Sequence, residues 1–248
     1  MSSSIVSPAV IYPESDGKPM GETDVHVHEI AELYILFKDR YRNDPNVFAG
    51  ANMLCYYEEG VPSSCFCPDV FIVFGVPNKT RRTFKFWEER KPPGVIFEVS
   101  SRKTRREDLV GKKALYARLG VREYFIYDPL HEYLRPPLQG FKLKGGEYIP
   151  LAPKTDGSVT SQLLGLQLRL EKGALVLNDS STGELQVRPL EEKQRRREDL
   201  KLLREEELRR QEAEQRRNEA ERLRHDTEAE NRRLRAELEK LKKKNGHK

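Results

Sequence analysis

From Glu191 to Lys244 the chain contains neither proline nor glycine, and 35 of these 54 residues are charged. A stretch so polar cannot bury a core, and nothing in it breaks a helix. It is expected to form one long helix of about 80 Å at about 1.5 Å per residue. The folded body must therefore lie upstream. Charge divides the same way. Residues 191–248 carry 20 basic and 16 acidic side chains, against 25 and 24 in the rest of the chain. The formal net charge of +5 is thus mostly a property of the tail and does not mark the body as a nucleic-acid binder.

Along the tail, Ala220, Arg224, Thr227, Asn231, Leu234, Leu238 and Leu241 keep heptad spacing, but only the last three are strong seam residues. Leu200, Leu203 and Leu208 fall out of frame. A coiled coil near the C-terminus, serving a homodimer or a protein partner, and a solvated single helix stitched by alternating charges both stand.

The body divides into an arm, residues 1–23, rich in Ser, Pro and Gly, and a domain, residues 24–190. Ile30, Leu33, Tyr34, Phe37 and Tyr41 recur at helical spacing, stopping at Asn43-Asp44-Pro45. Val47–Tyr57, Asp69–Phe74, Gly94–Ser100 and Val121–Tyr127 read as strands, the second apolar enough to be buried on both faces. Thr104 and Glu107 form a capping box for a helix running to Leu119, with Gly120 as its stop. Shorter runs at 141–143, 148–151, 164–170, 174–177 and 185–187 suggest appended hairpins. The order is that of an α/β or α+β fold, with α/β the expected class.

No apolar run reaches the ~18–20 residues of a membrane span, and the first residues lack the pattern of a signal peptide. Three cysteines, Cys55, Cys65 and Cys67, are too few for a disulfide framework and lack a fourth ligand at zinc-finger spacing. A reducing, cytoplasmic compartment is the simplest reading, with no membrane partner.

Two acids stand out. Asp69 opens an apolar strand, and Glu98 sits inside another, Val-Ile-Phe-Glu-Val. Burying a carboxylate is costly unless it is paired or binds a cation. Brought together by neighbouring strands, the two would form a hard-oxygen site suited to Mg²⁺. Such an ion polarises a phosphate and lowers the pKa of water. Simpler roles compete: a strand-start cap for Asp69, a buried Glu–Arg pair for Glu98.

Pro68-Asp69-Val70, Phe97-Glu98-Val99-Ser100-Ser101, Thr104, Asp108, Lys112, Tyr116, Gly120-Val121, Glu123-Tyr124 and Asp128-Pro129 together resemble the PD-(D/E)XK nuclease superfamily. Within it they resemble the Uma-type family of restriction endonuclease domains. The resemblance spans residues 24–190 and implies a restriction-endonuclease-like core with a mixed sheet and appended β-hairpins. It also implies Asp69 and Glu98 as metal ligands, Mg²⁺ or Mn²⁺ as the ion, and hydrolysis of DNA phosphodiester bonds.

The superfamily places Lys two residues after the second acid, where this chain has Ser100. The resemblance assigns the role to helical Lys112, with Lys113 as second choice. Asp108 and Lys112, four apart, would otherwise make an exposed salt bridge worth only ~0.3–0.5 kcal/mol. Arg102, Lys103, Arg105 and Arg106 open the same helix and are the better phosphate-facing patch. Lys79, Arg81, Arg82 and Lys85, interleaved with Phe84, Phe86 and Trp87, offer a second one, or a charged loop with an aromatic anchor. His26 and His28, two apart on the first helix, make a poor metal pair. For Glu29 and Glu32 a solvated helix face is a simpler reading than metal ligation. Two rivals stand beside a nuclease: a catalytically silent nucleic-acid-binding or regulatory module, and a coiled-coil adaptor.

Overall fold

A computed structural model describes residues 10–15, 17 and 23–245. It divides into two compact units, one up to Leu190 and one from Glu191. In the first, α1 (Asp24–Arg40) precedes β1 (Val47–Ala51), β2 (Cys55–Tyr56), β3 (Cys65–Phe66), β4 (Val70–Phe74) and β5 (Phe84–Lys85). A single-turn α2 (Phe86–Glu89), β6 (Val95–Val99), a π-helical segment (Glu107–Lys112) continuing into α3 (Lys113–Arg118), and β7 (Glu123–Tyr127) follow. The body ends with β8 (Leu138–Lys144), β9 (Glu147–Pro150), β10 (Val159–Ser161), β11 (Leu166–Glu171), β12 (Ala174–Asp179) and β13 (Leu185–Gln186). The last helix, α4, spans Pro189–Asn245, about 85 Å of helix.

The main sheet has the order β1-β4-β6-β7-β8-β9. It is mixed: β6 and β7 run parallel and the other pairs antiparallel. One face is covered by α1 and by residues of the antiparallel sheet β10–β13, with Leu33, Phe37, Val70, Phe97, Leu168 and Leu175 in one core. On the other face Phe71, Ile96, Tyr116, Tyr124 and Phe84 form a second core. With both faces covered, β6 and β7 are buried at every position, which is why they read as apolar runs.

Where expectation and structure differ, the cause is local. The run 47–57 is not one strand: Asn52 takes a positive φ of 46° and donates to the carbonyls of Pro68 and Asp69. Asn tolerates that conformation better than a β-branched residue. The chain then turns into the small sheet β3-β2-β5. The helix before α3 opens at Ser101, three residues earlier than expected. The Thr104 N–H donates to Ser101 Oγ and the Ser101 N–H to Thr104 Oγ1, so Thr104 fills the position that Glu usually takes in a capping box. In β1, Gly50 is required by close approach, since a Cβ there would lie 2.5 Å from the Phe71 ring.

Of the arm expected over residues 1–23, positions 1–9, 16 and 18–22 lie outside the described residues. Tyr12 packs on Tyr56 and Trp87 and accepts the Gly60 N–H at 2.7 Å. No helix among the described residues is long and apolar enough to cross a membrane. In α4 the leucines at 200, 203, 208, 223, 234 and 238 are exposed, and Arg196–Glu192 and Arg210–Glu206 are ion pairs one turn apart.

The cysteines differ sharply. Cys55 is fully buried, and burial pushes its thiol well above the ordinary value, whereas Cys67 is exposed. A thiol reagent at pH 8 is expected to label Cys67 quickly and Cys55 only on unfolding, since the thiolate is the reactive form. Mass-spectrometric peptide mapping checks this, and prompt labelling of Cys55 in the native protein would contradict the burial argument.

Candidate active site

The β4–β6 ladder ends near both acids. Val70 faces Phe97, with Asp69 just before β4 and Glu98 next after Phe97 in β6. Alternation puts Glu98 on the face of Ile96, toward α3, while Asp69 also meets His26 of α1. The Val99 N–H donates to Asp69 Oδ2 at 2.7 Å, tying the first acid to the strand that carries the second.

Glu98 is 1% exposed and both its oxygens are engaged. The Tyr116 hydroxyl donates to Oε1 at 2.6 Å and the Lys112 ammonium to Oε2 at 2.7 Å. Lys112 Nζ also lies 3.0 Å from Asp108 Oδ1, and Asp108 is as buried as Glu98. Lys112 closes the π-helical segment that begins at Glu107, the kind of i→i+5 turn that locally widens a helix. The exposed Asp108–Lys112 bridge that spacing alone allows is instead buried, and the partner of Glu98 is a lysine rather than an arginine.

Burial raises the pKa of Glu98 well above the ordinary glutamate value; Lys112 works against this, while the nearby Asp69 and Asp108 add to it. Asp108 is raised too, first by burial. Burial alone would lower the value for Lys112, but Glu98, Asp108 and Asp69 outweigh it and hold the ammonium charged. Asp69, Glu98, Asp108 and Lys112 thus form one electrostatic cluster in which acids outnumber the lysine.

His26 is the residue sequence reasoning passed over. It lies on α1, 6% exposed, with Nε2 3.4 Å from Asp69 Oδ2. Its signal was present: His26, Ile30, Leu33 and Phe37 share the buried face of the helix. The solvated face expected for Glu29 and Glu32 is overturned. Glu29 is held bidentately by Arg188, at 2.6 and 3.1 Å, and Glu32 accepts the Leu190 N–H. Both are buried.

Lys113 points elsewhere, its ammonium 3.7 Å from the centre of the Phe141 ring. Arg102, Lys103, Arg105 and Arg106 are all exposed. The aromatic loop is structural: Phe84 is wholly buried, and Arg81 pairs with Glu89 at 2.7 Å while stacking 4.3 Å over Phe48.

The donor set fits a hard divalent cation. Asp69 and Glu98 offer carboxylate oxygens within a buried cluster in which acids outnumber the lysine, and a cation would favour their ionised forms. Two residues past Glu98, the Ser100 hydroxyl is buried and has no hydrogen-bond partner among the described residues. Among the described residues, no three ligand-type side chains that include both Asp69 and Glu98 close around one point. Two protein ligands with the remaining positions left to water and phosphate is a usual arrangement for Mg²⁺.

A mixed sheet flanked by helices, with an acid pair at the junction of two central strands, defines an α/β body of the restriction-endonuclease-like class. The chain belongs to the Uma2 family, described as "Putative restriction endonuclease", which matches it over residues 11–176. It is also similar to a solved structure described as a putative nuclease belonging to DUF820 from Anabaena variabilis. That similarity has 13% identity and a TM-score of 0.43, covering 59% of this chain and 76% of that one. No curated protein matches the chain.

Proposed function

We propose that this chain is a Mg²⁺-dependent endonuclease that hydrolyses DNA phosphodiester bonds, with Mn²⁺ as a substitute ion. The observation that carries the reading is the buried Asp69–Glu98 pair on adjacent strands with the Lys112 ammonium 2.7 Å from Glu98. Family membership supports the nuclease class.

In this reading Asp69 and Glu98 hold the ion, which supplies Lewis acidity at the scissile phosphate. Lys112 places a fixed positive charge where negative charge grows in the transition state, in surroundings dry enough to give it weight. Tyr116 keeps the Glu98 carboxylate from rotating. Exposed Arg102, Lys103, Arg105 and Arg106 neutralise the flanking phosphates, a salt-sensitive contribution. The chemistry lies wholly within residues 24–190, and the charged segment 191–248 serves self-association or a protein partner.

The test is cleavage of supercoiled plasmid by the full chain with Mg²⁺, with and without EDTA. Nicking that EDTA abolishes is expected. No cleavage with either Mg²⁺ or Mn²⁺ would favour a catalytically silent module. The two lysines separate in the same assay. Lys112→Met is expected to lower the rate about 100-fold or more, the loss typical of one preorganised charge donor. Lys113→Met, which removes only the contact with Phe141, should change it less than about threefold. Equal losses would contradict the assignment of Lys112.

A further inference from the structure

A cation arriving at Glu98 meets a donor already on each of its oxygens. Tyr116 holds Oε1 as a neutral donor, and Lys112 holds Oε2 as a full positive charge 2.7 Å away. A cation arriving at Glu98 competes with the ammonium. An ammonium stripped of its partner in a site this dry would oppose that arrival strongly. Yet Lys112 has a second carboxylate within reach: Asp108 Oδ1, 3.0 Å from the same nitrogen.

We propose that Asp108 is the alternative seat of Lys112, taking the ammonium over when a divalent cation engages Glu98. This rests on the reading that Asp69 and Glu98 bind the ion. The geometry suits a short transfer. Asp108 is one turn before Lys112 on the same helix, 1% exposed, with its backbone N–H fixed on the Thr104 carbonyl at 2.9 Å. Lys112 already bridges the two acids, so a small torsion of its stem exchanges one partner for the other. The charge stays beside the site and is freed from the carboxylate that opposed it. Asp108 is a positioning residue: it touches the lysine and not the substrate.

The alternative is that Asp108 attracts the cation directly, as a ligand or through its field. A double-mutant cycle separates the two. Mn²⁺ binding is measured by calorimetry on the full chain, as wild type, Asp108→Asn, Lys112→Met and the double variant, with thermal unfolding to verify the fold. If Asp108 acts through Lys112, Asp108→Asn weakens Mn²⁺ binding about tenfold in the wild-type background. In the Lys112→Met background, where no ammonium needs reseating, the same substitution changes it less than about twofold. Asp108→Glu, which keeps a carboxylate, should hold affinity within about threefold. Equal weakening in both backgrounds overturns the proposal while leaving the metal reading intact. So does no weakening in the wild-type background. If the wild type binds no Mn²⁺, or Glu98→Ala binds it unchanged, the metal reading falls and this proposal with it.

Discussion

Asp69→Asn and Glu98→Gln are each expected to reduce Mg²⁺-dependent plasmid cleavage by on the order of 10³-fold, while leaving the protein folded. A bound ion acting as Lewis acid is worth several kcal/mol at the transition state, and each 1.36 kcal/mol is tenfold in rate. Both substitutions preserve shape. In Asp69→Asn the carboxamide oxygen can still accept the Val99 N–H that Asp69 Oδ2 holds. In Glu98→Gln the remaining oxygen can still accept from Tyr116 as Glu98 Oε1 does, and Lys112, which loses Oε2, keeps Asp108 as its partner. What each removes is a charge. For Glu98 that charge is one the fold opposes, because burial raises its pKa well above the ordinary value. Neutralising it should leave the melting temperature within a few degrees. Cleavage rate and thermal midpoint, measured on the same preparations, distinguish the roles. A lost fold would make the acids structural, and unchanged cleavage would put the chemistry elsewhere.

The acid pair was legible because burial and chemistry conflict there. A glutamate between Phe97 and Val99 in a strand apolar on both sides needs a partner, and its sequence neighbours already say so. Asp69 was weaker on its own, since an acid at a strand's first position has ordinary uses. Only its hydrogen bond to β6 gives it meaning. His26 was missed for a different reason. Spacing compared it with His28, two residues away on another side of the helix, whereas its relevant neighbour is Asp69, brought near by packing α1 across the sheet. Lys112 could be chosen over Lys113 only through resemblance. Helical spacing alone does not say which side of the helix meets β6, and the π-helical segment that carries Lys112 has no pattern legible in the residues.

The strands of the central sheet were readable from their apolar runs, and the long C-terminal helix from its composition. Lost were features set by a single residue's backbone conformation or local hydrogen bond. The turn at Asn52 splits one expected strand in two, and Ser101 rather than Thr104 opens a helix. The basic aromatic loop shows the same limit. Phe84 and Arg81 look available for a nucleic acid until β5 pairs with β2 and both side chains turn inward.

Glu29→Ala is expected to destabilise the body by about 3–5 kcal/mol, the cost of removing one partner from a buried ion pair. Glu29 sits on α1 and Arg188 just beyond β13, with side chains 5% and 8% exposed. The carboxylate also accepts the Tyr127 hydroxyl and the Leu175 N–H. One acid therefore joins the first helix, the centre of the main sheet and the antiparallel sheet. Its loss takes the bidentate partner from Arg188 and leaves those donors facing a cavity. At about 2–4 °C per kcal/mol for a body of this size, the thermal midpoint should fall by on the order of 10 °C. A control separates charge from space: Glu29→Met with Arg188→Met, apolar at both ends, should recover much of the loss. Glu29 is also an acid on the first helix, where metal ligation was a competing reading, and the experiment decides that too. At a temperature where Glu29→Ala stays folded, its Mg²⁺-dependent cleavage should match the wild type within about threefold. A midpoint that hardly moves, together with cleavage lost, would transfer Glu29 from the scaffold to the metal site.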